Sequence, residues 1–171
     1  MNVKYLIPFV EAAYEVLKAE AHITMTRGEL SLEKSPYVTD DVTVLISLVG
    51  DVQGTVFYGM NAKTCVAISS AIMGEQLKEL NNLAQSGIAE LGNVITGRAS
   101  VKLSQTGFQS TISPPTLLLA KGATISTLDF ARLVVPLTSD VGNIVIHLAL
   151  RESATKGANA ALLKVPSAPG V

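Results

Sequence analysis

The residues best placed to do chemistry lie in one stretch, Asn82 to Leu103. Asn82 can cap a helix running from Leu83 to about Leu103, with Gln85 at the capping-box position. At ~100° per residue, Ala84, Ile88, Leu91, Ile95 and Ala99 form one apolar stripe. On the opposite side Ser86, Glu90, Asn93 and Gly97 fall in a narrow arc, at steps of four, three and four. An anionic acceptor thus stands beside a neutral carboxamide that both donates and accepts hydrogen bonds, and both point outward. Gly92 and Gly97 lie in the same helix, where each glycine costs up to ~1 kcal/mol relative to alanine. That cost points to a close approach by another backbone or by a partner.

Other chemistries find no support. There is no phosphate-binding glycine loop ending in Lys-Ser or Lys-Thr, no Gly-x-Gly-x-x-Gly and no Gly-x-Ser-x-Gly. Ser31-Leu32-Glu33-Lys34 fits Ser-x-x-Lys by letter, but it falls at a strand end rather than a helix start. His22 and His147 are far apart, and His147 sits inside the strand pattern Ile144-Val145-Ile146-His147-Leu148 as a face residue. Cys65 stands alone in an apolar run, so no intrachain disulfide or cysteine-based metal cage forms, and no metal site is expected.

Around this helix, Phe9 to Ala21 reads as a helix with Pro8 in its first turn. Ile23 to Leu32 alternates like a partly exposed strand, and turn signals follow at Ser35-Pro36 and Thr39-Asp40-Asp41. Val42–Val49 and Gly54–Met60 form a hairpin across Gly50-Asp51-Val52-Gln53. Asn61 can cap a helix through Ile68 to Met73, stopped near Gly74. Gly107–Ile112 and Leu117–Ile125 read as strands around Pro114-Pro115, and Arg132–Leu137 and Ile144–Leu150 form a last hairpin. Leu48-Val49-Gly50-Asp51-Val52 echoes Leu137-Thr138-Ser139-Asp140-Val141. Helix–strands–helix–strands with similar halves suggests a duplicated unit around an antiparallel sheet, an α+β fold with helices flanking the sheet. The expected domain spans 1–152, and 153–171 is an Ala/Gly/Pro-rich tail.

Composition narrows the partners. The 171 residues are 48% hydrophobic and only 16% charged, with a net charge of −1. Bulk disorder is excluded. No run approaches the ~18 apolar residues of a spanning helix, so no membrane insertion is expected. Without a basic excess, nucleic acid is excluded as the main partner. No secretory signal is visible at the N-terminus, and a cytoplasmic location is expected. The apolar surplus itself asks for an explanation.

The run Ser86-Gly87-Ile88-Ala89-Glu90-Leu91-Gly92-Asn93-Val94-Ile95-Thr96-Gly97 resembles the signature of the CheC/CheX/FliY family of chemotaxis phosphatases. That signature has Ser or Asp, then Glu-x-x-Asn, then a proline beyond the helix. Here these are Ser86, Glu90 and Asn93, followed by Ile112-Ser113-Pro114-Pro115-Thr116. The likeness runs from about Asn2 to Arg151. The first helix reads Glu11-Ala12-Ala13-Tyr14, with tyrosine where a second copy of the motif would carry its amide. That favours a single-site CheX-like chain over a two-site CheC-like one.

The resemblance implies a phosphatase acting on the aspartyl phosphate of a CheY-type response regulator. Such hydrolysis needs a water in line with phosphorus while Mg2+ and donors hold the equatorial oxygens. The receiver brings the Mg2+ and a lysine, so no cofactor on this chain is expected. By resemblance, Asn93 orients the attacking water and Glu90 pairs with the receiver's lysine. Ser86 and Gly97 line the contact. A homodimer is implied too, and an apolar dimer surface would account for part of the composition. Two alternatives stand beside this: a non-catalytic module of the same fold that binds a receiver or another chemotaxis protein, and a FliY-like structural subunit of a flagellar switch. Glu90 and Asn93 together favour the enzyme, because a pure binder has no need of the water-positioning amide.

Overall fold

Apolar alternation over two long hairpins dictates the frame on which everything else is laid. The computed structural model describes residues 3–127 and 131–154. In chain order the elements are α1 (Leu6–Ala21), β1 (Thr26–Arg27), β2 (Ser31–Glu33), β3 (Tyr37–Val38), β4 (Val42–Gly50), β5 (Val52–Met60) and α2 (Ala62–Met73). Then follow α3 (Asn82–Gln105), β6 (Ser110–Ile112), β7 (Thr116–Leu118), β8 (Thr124–Ile125), β9 (Arg132–Ser139) and β10 (Gly142–Glu152). All strand pairs are antiparallel, and the main sheet runs β1-β9-β10-β5-β4-β6, with β2 also on β9 and β7 also on β4. The fold is α+β, as expected.

The suspected duplication is visible in the pairing. Each half is a helix, two short strands, a two-residue strand and a long hairpin. The short strands of the first half, β1 and β2, pair with β9 of the second. Those of the second half, β6 and β7, pair with β4 of the first. The hairpins meet along β5 and β10 at the sheet centre, and β3 pairs with β8. The two halves are therefore interleaved rather than juxtaposed.

One face of the sheet carries the core. Val44, Ile46, Val56, Tyr58, Ile146 and Leu148 point toward the helices, where Phe9, Val16 and Leu17 of α1 and Ile88, Leu91 and Ile95 of α3 meet them. The opposite face holds a second cluster in which Tyr37 packs on Phe57 and Ala149. The β3–β8 ribbon lies across that face. Arg132, 1% exposed, holds it: the guanidinium pairs with Glu33 at 2.6 Å, donates to the Ser35 carbonyl and stands 5.5 Å from the Tyr37 ring centre. The His147 ring packs against Tyr37, with centroids 4.5 Å apart and planes tilted by 53°. Its place on this buried face agrees with the face-residue reading, and burial, with Arg132 nearby, lowers its pKa to about 4.

Several local expectations need correction. The alternation Ile23 to Leu32 is not one strand. Gly28, Glu29 and Leu30 stand opposite only Val135 and Pro136, a bulge that divides it into β1 and β2. It falls at Pro136, which has no N–H to offer a neighbour, while its carbonyl accepts from Gly28 N at 2.8 Å. Between the two predicted turns near residue 37 runs β3, and the predicted strand Leu117–Ile125 is two strands, β7 and β8, broken at Lys121-Gly122. The predicted strand from Gly107 is ordered as a strand only at Ser110–Ile112. The cap of α3 is Asn81, whose Oδ1 accepts from Ala84 N at 2.9 Å, and not Asn82. Gln85 consequently forms no capping box; its amide donates to the Leu80 carbonyl. Asn61 caps α2 as expected, accepting from Thr64 N at 2.7 Å, and Gly74 closes it in the left-handed region. Ser153 is bound through its N–H to the Asp51 carbonyl. Leu162, Leu163 and the rest of the expected tail beyond Ala154 lie outside the described residues.

Candidate active site

The expected residues share the outer edge of α3. Ala84, Ile88, Leu91, Ile95, Ala99 and Leu103 are buried along the helix, which leaves Ser86 and Glu90 exposed and Asn93 and Gly97 half-buried on the other side. At ~1.5 Å rise per residue, Glu90 and Asn93 stand about one turn apart on a single ridge. Neither side chain bonds to any described residue. A carboxylate and a half-buried carboxamide are thus both left open to an outside group.

Two acids of α1, Glu11 and Glu15, are not open. Lys102 of α3 bridges Glu11 at 3.1 Å and Glu15 at 2.8 Å, and Arg98 reaches Glu15 at 3.2 Å. These pairs lace α1 to α3. The Lys102 hydrogen bond is the main reason Glu15 is held below the usual carboxylate range. On α1, therefore, Glu11 is occupied, and Tyr14 is half-buried against the core. The α1 stretch Glu11-Ala12-Ala13-Tyr14 has neither a free acid nor an amide.

The two glycines of α3 separate sharply. A Cβ on Gly92 would stand 2.8 Å from Val44 Cγ1 and 3.4 Å from Tyr58 Cδ2, so this glycine lets helix and sheet touch. A Cβ on Gly97 would meet only Ile112 Cδ1, at 3.7 Å. The packing of the fold does not require Gly97, although the helix is weaker for it.

The proline loop is held beside this edge. Strands β6 and β7 both contact α3. Ser100 donates to the Ser110 carbonyl at 2.9 Å, and Ile112 lies against Gly97. Ser113 then locks the loop to β4: its N–H donates to the Ser47 carbonyl at 2.9 Å, and its hydroxyl accepts from Ser47 N at 3.0 Å. Pro114 and Pro115 follow directly. Sequence reasoning did not find this serine clasp, nor the buried pair beneath the site, where Tyr58 Oη and Thr96 Oγ1 lie 2.8 Å apart. A threonine inside an otherwise well-formed helix was the available signal for the latter.

No cluster of three or more His, Cys, Asp or Glu side chains that could hold a metal occurs among the described residues. No helix among them is long and apolar enough to cross a membrane. Burial raises the thiol of Cys65 to about 11, in keeping with the inert reading.

Known proteins are similar to this chain in sequence and fold. A curated relative, "CheY-P phosphatase CheX" of Thermotoga maritima, is 26% identical over 128 residues, covering 74% of this chain and 83% of the relative. The solved CheC-like superfamily protein of Shewanella sp. PV-4 superposes with a TM-score of 0.80 at 26% identity, over 88% of this chain and 99% of that one. The fold also matches a chain in the CheX–CheY–BeF3–Mg2+ complex of Borrelia burgdorferi, with a TM-score of 0.71 at 24% identity, over 88% of this chain and 100% of that one. The family model described as "Chemotaxis phosphatase CheX" matches residues 42–138, a span that contains both long-hairpin strands β4 and β5, all of α3 and the proline loop. The chain belongs to the chemotaxis phosphatase CheX family.

Proposed function

We propose that this protein hydrolyses the aspartyl phosphate of a CheY-type response regulator, using one site on the outer edge of α3. The observation that carries this reading is the unpaired Glu90 and Asn93 on one ridge of α3, in a CheX-family chain whose α1 acids Glu11 and Glu15 are both paired. The relative named CheY-P phosphatase and the similarly folded chain solved with CheY support the choice of partner.

The division of labour follows from what each group can do. An aspartyl phosphate in a receiver already has its metal, and the receiver's Mg2+ neutralises the developing charge. What remains is to place a water in line. The Asn93 carboxamide accepts a hydrogen bond from the water through Oδ1 and stays neutral, so it orients the nucleophile without repelling the phosphoryl group. The Glu90 carboxylate, one turn away, pairs with the receiver's lysine and fixes the docking angle. Ser86 and Gly97 flank them, and the bare backbone at Gly97 admits the partner's surface. No covalent intermediate on this chain and no cofactor bound by it enter the scheme. Cytoplasmic placement follows from the partner. A homodimer is part of the same reading, carried over from the family resemblance. Sedimentation at micromolar concentration tests it, and a monomer contradicts it.

The decay of a phosphorylated cognate receiver, followed with and without this protein, tests the activity. Acceleration by the wild-type chain is expected. An unchanged decay rate overturns the phosphatase reading and leaves the non-catalytic receiver-binding module in its place.

A further inference from the structure

Beneath the site, two hydroxyls are buried where apolar side chains would suffice. Tyr58 is 2% exposed and Thr96 fully buried, on facing surfaces of β5 and α3. Thr96 Oγ1 donates to the Gly92 carbonyl at 2.8 Å, one turn back in its own helix. Its single proton is thereby used, so Tyr58 is the donor in the 2.8 Å contact with Thr96. The relay runs from the Tyr58 hydroxyl to Thr96 to the Gly92 carbonyl. Burial pushes the Tyr58 phenol above its usual range, which keeps it a neutral donor.

The place of this relay is informative. Most of α3 is held to the sheet by apolar side chains, whose attraction is non-directional. At Gly92 the helix has no side chain at all, and Val44 presses against bare backbone. Toward its two ends α3 has directional bonds, from Ser69 to the Ala84 carbonyl and from Ser100 to the Ser110 carbonyl, but neither lies at the level of Gly92. The relay supplies a directional bond at that level. Asn93 follows Gly92, and Gly97 follows Thr96.

We propose that Tyr58 and Thr96 are positioning residues: their relay sets the rotation of α3 and thereby the aim of Asn93 and Glu90. The proposal rests on the phosphatase reading above. A rotation of about 10° carries a side-chain tip ~5–6 Å from the helix axis through about 1 Å. A misplacement of that size lowers a rate by up to ~100-fold when the reacting atoms must be in line.

Four proteins test this: wild type, Tyr58→Phe, Thr96→Val and the double variant. Each is measured for kcat and KM on a phosphorylated receiver, for Tm, and for the Asn93 side-chain amide signals by NMR. Tyr58→Phe is expected to lower kcat about tenfold with KM within about twofold. Thr96→Val leaves the Tyr58 hydroxyl buried without its acceptor and lowers Tm as well. The double variant is expected to regain most of that Tm, because both polar partners are gone, yet to keep the low kcat. A purely structural role would return kcat together with Tm, and that result overturns the proposal. Asn93 amide signals are expected to shift or broaden in all three variants, and unchanged signals in Tyr58→Phe overturn it equally. If the wild type leaves receiver decay unchanged, the phosphatase reading fails, and the Asn93 signals decide the positioning claim alone.

Discussion

Alanine at each of the two helix glycines separates what the fold needs from what the site needs. The gain in helix propensity is the same at both positions, about 1 kcal/mol. At Gly97 the new methyl meets only Ile112 Cδ1 at 3.7 Å, an ordinary contact. Gly97→Ala should therefore stabilise the chain by about 0.5–1 kcal/mol, raising Tm by roughly 1–4 °C for a protein of this length. At Gly92 the methyl would stand 2.8 Å from Val44 Cγ1, and Val44 is a fully buried, β-branched side chain. Overpacking a core in this way costs about 1–3 kcal/mol, so Gly92→Ala should be destabilising by about 0–2 kcal/mol despite the propensity gain. The two variants should differ by about 0.5–3 kcal/mol, roughly 1–12 °C in Tm, and the Gly92 cost should shrink in a Val44→Ala background. Differential scanning calorimetry reads all of this. Activity should move against stability: Gly97→Ala places a methyl on the docking edge and should raise KM for the phosphorylated receiver with kcat kept. A Gly92→Ala protein more stable than Gly97→Ala would refute the assignment of the two glycines.

Two further outcomes concern the rest of the molecule. The folded His147 has a pKa of about 4, below its unfolded value, so the native state favours the neutral ring. Its contribution is fully present above about pH 6.5 and is lost as pH falls toward 4: about 2 kcal/mol should disappear between about pH 8 and pH 5 in chemical unfolding, and His147→Gln should flatten that dependence. Cys65 is fully buried with its thiol raised to about 11, so a thiol reagent should label it only as fast as the protein opens.

How much of this was legible depended on the range of the determinant. The two long hairpins were readable because Val42–Val49 and Ile144–Leu150 carry their β-branched and apolar residues in unbroken register. The site was readable because Ser86, Glu90, Asn93 and Gly97 fall opposite an apolar stripe, a relation set within one helix. Asn81 and Asn82 are the same residue type side by side, and nothing local says which one caps. The bulge at Pro136 depends on which strands face β9, and the two-residue strands β3 and β8 have no period to read. Tyr58 and Thr96 are ordinary residues until the fold brings β5 under α3. The apolar surplus has a long-range cause as well: the central strands are covered on both faces, by helices on one and by the β3–β8 ribbon on the other. Val56 to Met60 and Ile146 to Leu150 are consequently buried at every position, where a half-exposed strand would alternate.

The central claim is that an unpaired amide and carboxylate on the edge of α3 hydrolyse a receiver's aspartyl phosphate. The most direct measurement is the turnover of a phosphorylated CheY-type receiver by wild type, Asn93→Ala and Glu90→Ala, with receiver binding measured in parallel. Asn93→Ala should lose about 100-fold in kcat with binding largely kept, because only the water loses its partner. Glu90→Ala should lose both turnover and binding. An Asn93→Ala protein that turns over as fast as wild type would contradict the account.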